Sequence, residues 1–370
     1  MANDSNLPLS AKQLQAVMNV TYDGLRILEV RNRIGNICAR AGWTIEMVFH
    51  EGDTLPVRER AWKVTDLFIE TVGAEKLVYW HGEMPAMLTS AVAQKRLSLK
   101  RERSQEDPKR YAMAFHLASG HPKPAGVSSN AWADKWADNA QDFRMRCWIN
   151  HTTGIRSAER WEPGVGPVMS VIRMHLHAPW VQAQPPERGA GWFTSRVVAL
   201  MRPFWCSAGW GVMPTVEERN IEPIHMGQQM LYPYLQRLPG LNAIDEMHAL
   251  HGPTFNNAMH SVNWLNYVSD PLLDRLGGRE AVRQQVKASK HLDATDVGNC
   301  LCIRAGQIPV LADTQHHTVL HGYGEAARLL KPIRAKSYRN NFVAPPPAGS
   351  MNSAEWQLAC DAYLSRFDLM

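Results

Sequence analysis

Clean two-residue alternation of apolar and polar side chains recurs along the chain. Over residues 43–50 it sets Trp43, Ile45, Met47 and Phe49 against Thr44, Glu46 and His50. Over 143–149, Phe143, Met145, Cys147 and Ile149 oppose Arg144 and Arg146; over 169–177, Ile172, Met174 and Leu176 oppose Arg173, His175 and His177. The pattern predicts strands with one buried and one wet face, which favours antiparallel pairing. Further strands are expected at 77–80, 111–117, 260–268 and 301–305.

Steps of three and four predict the helices. Asp53, Thr54 and Pro56 open one that carries Val57, Ala61, Val64, Phe68 and Val72 and ends at Gly73. Phe193, Val197, Leu200 and Phe204 mark a second, stopped by Pro203. Asp270-Pro271 opens a third, broken by Gly277-Gly278 and resumed over 280–286, and a fourth spans 323–331 and closes at Pro332. Residues 120–130 and 182–191 read as loops, and 344–349 (APPPAG) as a semi-rigid spacer. Asn352 and Glu355 then make a capping-box-like start for a last helix. Its stripe of Trp356, Ala359, Cys360, Tyr363 and Phe367 needs cover, so it is expected to dock on the body.

Strands interleaved with helices, without a βαβ rhythm, imply an α+β fold: antiparallel sheets flanked by helices, in two closely packed subdomains. The expected divisions are 1–185, 186–340 and a Pro-rich spacer with terminal helix at 341–370. The two subdomains are expected to meet near residues 180–190.

With 370 residues, 45% of them hydrophobic and 20% charged, the chain can bury a core and is not of disordered composition. No apolar run reaches the ~18–20 residues of a membrane helix. The first residues have neither the basic start nor the apolar stretch of a signal peptide, so a cytoplasmic location is expected. Six scattered cysteines (Cys38, Cys147, Cys206, Cys300, Cys302 and Cys360) fit a reducing compartment. A net charge of +5 is a small excess. The densest basic stretch, 95–110, holds Lys95, Arg96, Lys100, Arg101, Arg103, Lys109 and Arg110, and reads as a solvated connection between two elements. A nucleic-acid-binding module built on it is one alternative reading.

The motifs of common chemistries are missing. His175 and His177 share a strand face and could converge on an ion, with His316, His317 or His321 as further ligands, but no spacing enforces it and HExxH and paired CxxC are absent. Gly164-x-Gly166 precedes a strand, the wrong order for a dinucleotide fingerprint, and Gly322-x-Gly324 lacks the rest of a phosphate loop. There is no G-x-S-x-G elbow. The cysteines lie mostly in apolar strands, where thiols are inert packing; Cys300 and Cys302 share one strand face and are poorly placed for a disulfide. No catalytic, cofactor-binding or metal-ligating residue is therefore assigned, and no cofactor is expected. A hydrolase or transferase using the Arg173/His175/His177 face remains the enzymatic alternative. Tryptophan is abundant, with 13 copies; Trp132, Trp136, Trp161, Trp180, Trp192 and Trp210 fall in loops or at element edges. They are core packing or anchors for a protein partner.

The carboxy-terminal half carries a more specific signal: Asn263-Trp264-Leu265, Leu276-Gly277-Gly278, the stretch 306–313 (GQIPVLAD), and Leu329-Leu330-Lys331-Pro332-Ile333-Arg334. This set resembles the TsiV-type family of type VI secretion immunity proteins, across about residues 35–335. The sequence departs from the family pattern at Ala312, where Gly is usual, and over 314–317. The resemblance implies a non-enzymatic antitoxin that binds a co-encoded effector, a cytoplasm-acting nuclease, and covers its active site, with no membrane and no nucleic acid as direct partner. A nuclease presents positive surface for phosphate, so a contact face with carboxylates around aromatic anchors is expected. Glu217, Glu218, Glu222, Asp245 and Glu246 are candidates for those carboxylates; no partner-binding residue is assigned.

Overall fold

The computed structural model describes residues 25, 28–31, 35–49, 53–80, 84–106, 113–137, 139–149, 170–214, 231–243, 258–260, 262–314, 320–336 and 353–368. Of the positions singled out above, His50, Lys109, Arg110, Trp161, Gly164, Gly166, Glu217, Glu218, Glu222, Asp245, Glu246, His316, His317, Asn352, the spacer at 344–349 and the side chain of Cys38 lie outside that description.

The strands are β1 (Glu29–Arg31), β2 (Ile37–Phe49), β3 (Leu77–Trp80), β4 (Ala86–Met87), β5 (Met113–Ser119), β6 (Phe143–Ile149), β7 (Ser170–His177), β8 (Trp205–Pro214), β9 (Asn242–Ala243), β10 (Leu265–Ser269), β11 (Leu292–Val297) and β12 (Cys300–Ala305). They form one open sheet in the order β11-β12-β10-β8-β2-β7-β6-β5-β3-β4, with β1 added on β2 and β9 on β8. Every pairing is antiparallel except the short β8–β9 pair. The fold is α+β, as the alternation predicts. The sheet is continuous across residues 185/186: β2 has β7 on one side and β8 on the other.

The helices are α1 (Leu55–Val72), α2 (Ala91–Ser104), α3 (Ser129–Ala137), α4 (Ala178–Ala183), α5 (Ala190–Met201), α6 (Asp270–Asp274), α7 (Arg279–Ala288), α8 (His321–Leu330) and α9 (Ser353–Leu364). None is long and apolar enough to cross a membrane. The Thr54 hydroxyl caps α1 by accepting from the Val57 amide, and Gly73 closes it at φ 98°, a left-handed value that glycine tolerates. Val57, Ala61, Val64 and Phe68 of α1 join Phe193 and Val197 of α5 over the Trp43, Ile45, Met47 and Phe49 face of β2. Trp43 Nε1 donates to Thr194 Oγ1 at 3.0 Å, which ties α5 to the sheet. On the opposite face, Val268, Leu301 and Ile303 pack with Leu272, Val282, Ala326 and Leu330 of the last helices.

Two elements differ in kind from the sequence reading. The basic stretch is helix α2 rather than a connection: Ser90 Oγ accepts from the Ala93 amide, and Arg101 and Arg103 occupy the last turn, where cations complement the helix dipole. The loop expected at 120–130 gives way to α3 at Ser129. The sequence pattern also misses β8, because Gly209 and Gly211 interrupt its alternation. A Cβ at Gly209 would overlap Asn263 Oδ1, and one at Gly211 would overlap Thr44 Oγ1 and the Asn242 carbonyl. Close approach, not chain flexibility, places glycine there.

The terminal helix docks as expected, with Cys360, Tyr363 and Phe367 buried. The Ala243 amide donates to Tyr363 Oη at 2.8 Å, and Arg334 donates to the Leu364 carbonyl at 3.2 Å and to Asp368 Oδ1 at 2.5 Å.

Candidate functional site

The polar positions of β2, β6 and β7 form a grid. Glu46 faces Arg173 across the β2–β7 pair, and Arg173 faces Arg146 across β7–β6. One row on, Thr44 faces His175, and His175 faces Arg144. Ser207 of β8 and Asn266 of β10 continue the first row. This is the face that the alternation marks as wet, and here the structure corrects the sequence: Arg173 is 1% exposed, His175 0%, and Thr44, Glu46, Arg144 and Arg146 are buried as well. Alternation reports which residues share a face; it cannot report that other parts of the chain cover that face.

Burial demands partners for these groups. Arg173 donates from Nε (3.0 Å) and Nη2 (2.6 Å) to Glu46 Oε1, and His260 Nδ1 lies 3.4 Å from the same oxygen. Burial opposes ionisation of Glu46, but the charges and hydrogen bonds of Arg173 and His260 outweigh it and hold the carboxyl at about 2. His175 is driven the other way. Burial first, then the charges of His177, Arg144 and Arg40, push its imidazole down to about 3, so it is neutral at pH 7. Neither ring nitrogen of His175 makes a hydrogen bond of good geometry. The ring packs against Gly42, where a Cβ would overlap both His175 Nε2 and the Leu176 carbonyl. His177, at the rim, lies 3.8 Å from Asp142, which is ion-paired to Arg40 at 2.6 Å.

The Arg173/His175/His177 face is therefore a buried polar layer at its first two members, and neither is presented to a substrate from solvent. Among the described residues no three His, Cys, Asp or Glu side chains stand together to hold a metal. His321 stacks on His291 instead, with centroids 5.2 Å apart. Cys147, Cys206, Cys300, Cys302 and Cys360 are buried free thiols. Burial pushes Cys300 and Cys302 up to about 12, the opposite of an activated nucleophile.

The tryptophans divide. Trp210 is core, meeting Trp43 edge-on, and Trp136 is buried with its Nε1 donating to the Ser119 carbonyl. Trp132 and Trp180 are half-buried, and Trp192 is 38% exposed. Trp132 and Trp136 line a cavity of about 520 Å³ with Pro122, Pro124 and Lys135. A second cleft of about 510 Å³ runs between α1 and α2, lined by Leu55, Trp62, Arg101 and Ser104. Exposed Asp270 and Asp296 pair with Arg279, and Asp293 pairs with Arg304.

Three of the four motifs of the carboxy-terminal half make defined side-chain hydrogen bonds. Asn266 Oδ1 accepts from the Asn263 amide at 2.9 Å, while Asn266 Nδ2 donates to the Asn263 carbonyl at 2.7 Å, fixing the turn into β10. Trp264 Nε1 donates to the Gly306 carbonyl at 3.1 Å, and Asp313 receives Arg237 Nη2 at 2.7 Å. Ala312 is at φ 53°. Residues 150–367 match the family model described as TsiV, type VI immunity for VRR-NUC. The chain belongs to the TsiV family. The match starts later than the resemblance read from the sequence and runs further, to 367. The structure accounts for that end, because Arg334 of the Leu-Leu-x-Pro-x-Arg motif binds Leu364 and Asp368 directly. A solved structure of the Pseudomonas aeruginosa T6SS protein PA0821 shares the fold, with TM-score 0.67 and 18% identity over 96% of this chain and 91% of that one. No curated protein matches the chain. TsiV membership makes this an immunity protein of the type VI system.

Proposed function

We propose that this TsiV protein binds its cognate VRR-NUC effector directly and blocks the nuclease stoichiometrically, as a cytoplasmic, non-enzymatic antitoxin. The observation that carries the reading is the family match over residues 150–367, several of whose residues, among them Trp264 and Arg334, serve as structural ties in this fold. The buried polar layer supports it, since Arg173 and His175, two of the three residues that sequence alone could offer as catalytic, are buried. Blocking a lethal enzyme requires slow dissociation, and an interface burying roughly 1,600 Å² or more in total is the expected scale.

The test is protection. The VRR-NUC domain encoded beside the gene is expressed in a bacterium with and without this chain; survival and intact chromosomal DNA are expected only with it, together with a co-eluting complex on gel filtration. Equal killing in both strains and no complex would overturn the proposal.

A further inference from the structure

Six large apolar side chains among the described residues are well exposed, and three of them lie on or beside the outer side of α2: Met84 (37%), Val92 (55%) and Leu99 (40%). Val92 and Leu99 stand two turns apart on one stripe of the helix, with Lys95 between them. Arg96 Nη1 donates to the Met84 carbonyl at 2.6 Å, which brings Met84 against the helix. Of the helix cations, Lys95, Arg96 and Arg103 share the outer half with Val92 and Leu99, whereas Lys100 is half-buried and Arg101 turns inward to Asp66; Glu102 is the one carboxylate.

The inner side of α2 is already engaged. Arg58 donates to the Ser104 carbonyl at 3.0 Å, Trp62 Nε1 donates to Ser104 Oγ at 2.6 Å, and Arg101 lies over the Trp62 ring while pairing with Asp66. These contacts and the helix dipole explain the cations of the last turn. They do not explain a stripe of exposed aliphatic side chains on the outer side, which soluble surfaces tend to lack unless something binds there.

We propose that the outer face of α2 is a docking surface for an acidic protein surface and, resting on the reading above, that the effector presents it. Two features choose the occupant. The charge excess selects carboxylates and repels the cationic surface with which a nuclease holds phosphate. The apolar members are Leu, Met and Val, the composition of a protein contact; single-stranded nucleic acid is gripped by aromatic side chains interleaved with cations. Inhibition then does not work by imitating nucleic acid. The effector is held through a carboxylate-bearing surface, with attraction that weakens as salt rises.

The experiment compares Kd for the purified VRR-NUC domain encoded beside the gene, using the full chain and two double or single variants. Lys95→Glu with Leu99→Asp alters two exposed positions and leaves the inner anchors intact; it is expected to weaken binding at least tenfold and to flatten the salt dependence. Leu358→Asp, at a 69% exposed position on α9, is the control and is expected to bind as the parent. Thermal melts of all three chains confirm folding. Unchanged affinity in the α2 variant, with the parent binding tightly, overturns this inference and leaves the immunity reading standing. Absence of parent binding overturns both. Loss of binding to a DNA duplex in the α2 variant, with effector affinity unchanged, makes the face a nucleic-acid site and overturns it as well; so does a self-associated parent that the α2 variant disperses without losing the effector.

Discussion

Glu46 and Arg173 face each other in register across β2 and β7, and one carboxylate oxygen of Glu46 receives both Nε and Nη2 of Arg173. Both side chains are buried, so each is the condition for the other. Removing one partner strands a charge in a low-dielectric interior. Glu46→Ala is expected to cost about 3–5 kcal/mol, read as a lower urea midpoint, whereas replacing both residues with well-packed apolar ones should cost far less. Equal losses in the single and double variants would contradict this account.

Acid stability follows from the same pair. The folded carboxyl sits at about 2, below its ordinary value near 4.5. A depressed carboxylate stabilises the fold fully above the ordinary value and loses that contribution as pH falls from about 4.5 toward 2, a total of about 3 kcal/mol. Glu46→Gln should flatten the stability curve across that window, measured by urea unfolding at stepped pH.

His175 acts at a higher pH. Its imidazole is held at about 3 against an ordinary 6.5, so the unfolded chain takes up a proton that the folded chain refuses. Stability is therefore expected to fall as pH drops from about 6.5 toward 3, with a slope of up to about 1.4 kcal/mol per pH unit from this residue. His175→Leu should remove that slope between pH 6 and 5. An unchanged slope would show that the imidazole does not titrate in this way.

Ala312 holds a left-handed backbone, φ 53°. A Cβ is disfavoured there. Ala312→Gly is expected to stabilise the protein by about 0.5–1 kcal/mol, the reverse of what glycine does elsewhere, because relief of the strained conformation exceeds the added freedom of the unfolded chain. Differential scanning calorimetry would show it as a raised midpoint.

Arg334 is the tie between the family motif and α9, through Leu364 and Asp368. Arg334→Ala is expected to release the terminal helix locally, with faster amide exchange and earlier protease cleavage over 353–368 than in the sheet. Uniform loss of protection across the chain would mean that α9 is part of one cooperative core.

Local pattern determined much of this protein. Two-residue alternation marked β2, β6 and β7 because each strand has one apolar face, and the three-and-four stripes marked α1, α5 and α9 because each helix buries a single side. The motifs of residues 263–334 identified the family because their side chains close particular turns: Asn263 with Asn266, Trp264 with Gly306. What the sequence could not show is which surfaces meet. The polar face of β7 reads the same whether it is wet or covered, and only the assembled sheet made Arg173, His175 and Glu46 one buried layer. Nothing periodic announces β8, since Gly209 and Gly211 answer to Asn263, Thr44 and Asn242, which are distant in the chain. The stretch 95–110 reads as a charge run in sequence, and the exposed apolar group beside it becomes visible only when Met84 is folded against α2. Side-chain periodicity is a property of one segment; cover, close approach and surface grouping are properties of pairs of segments, and those the tertiary structure alone decides.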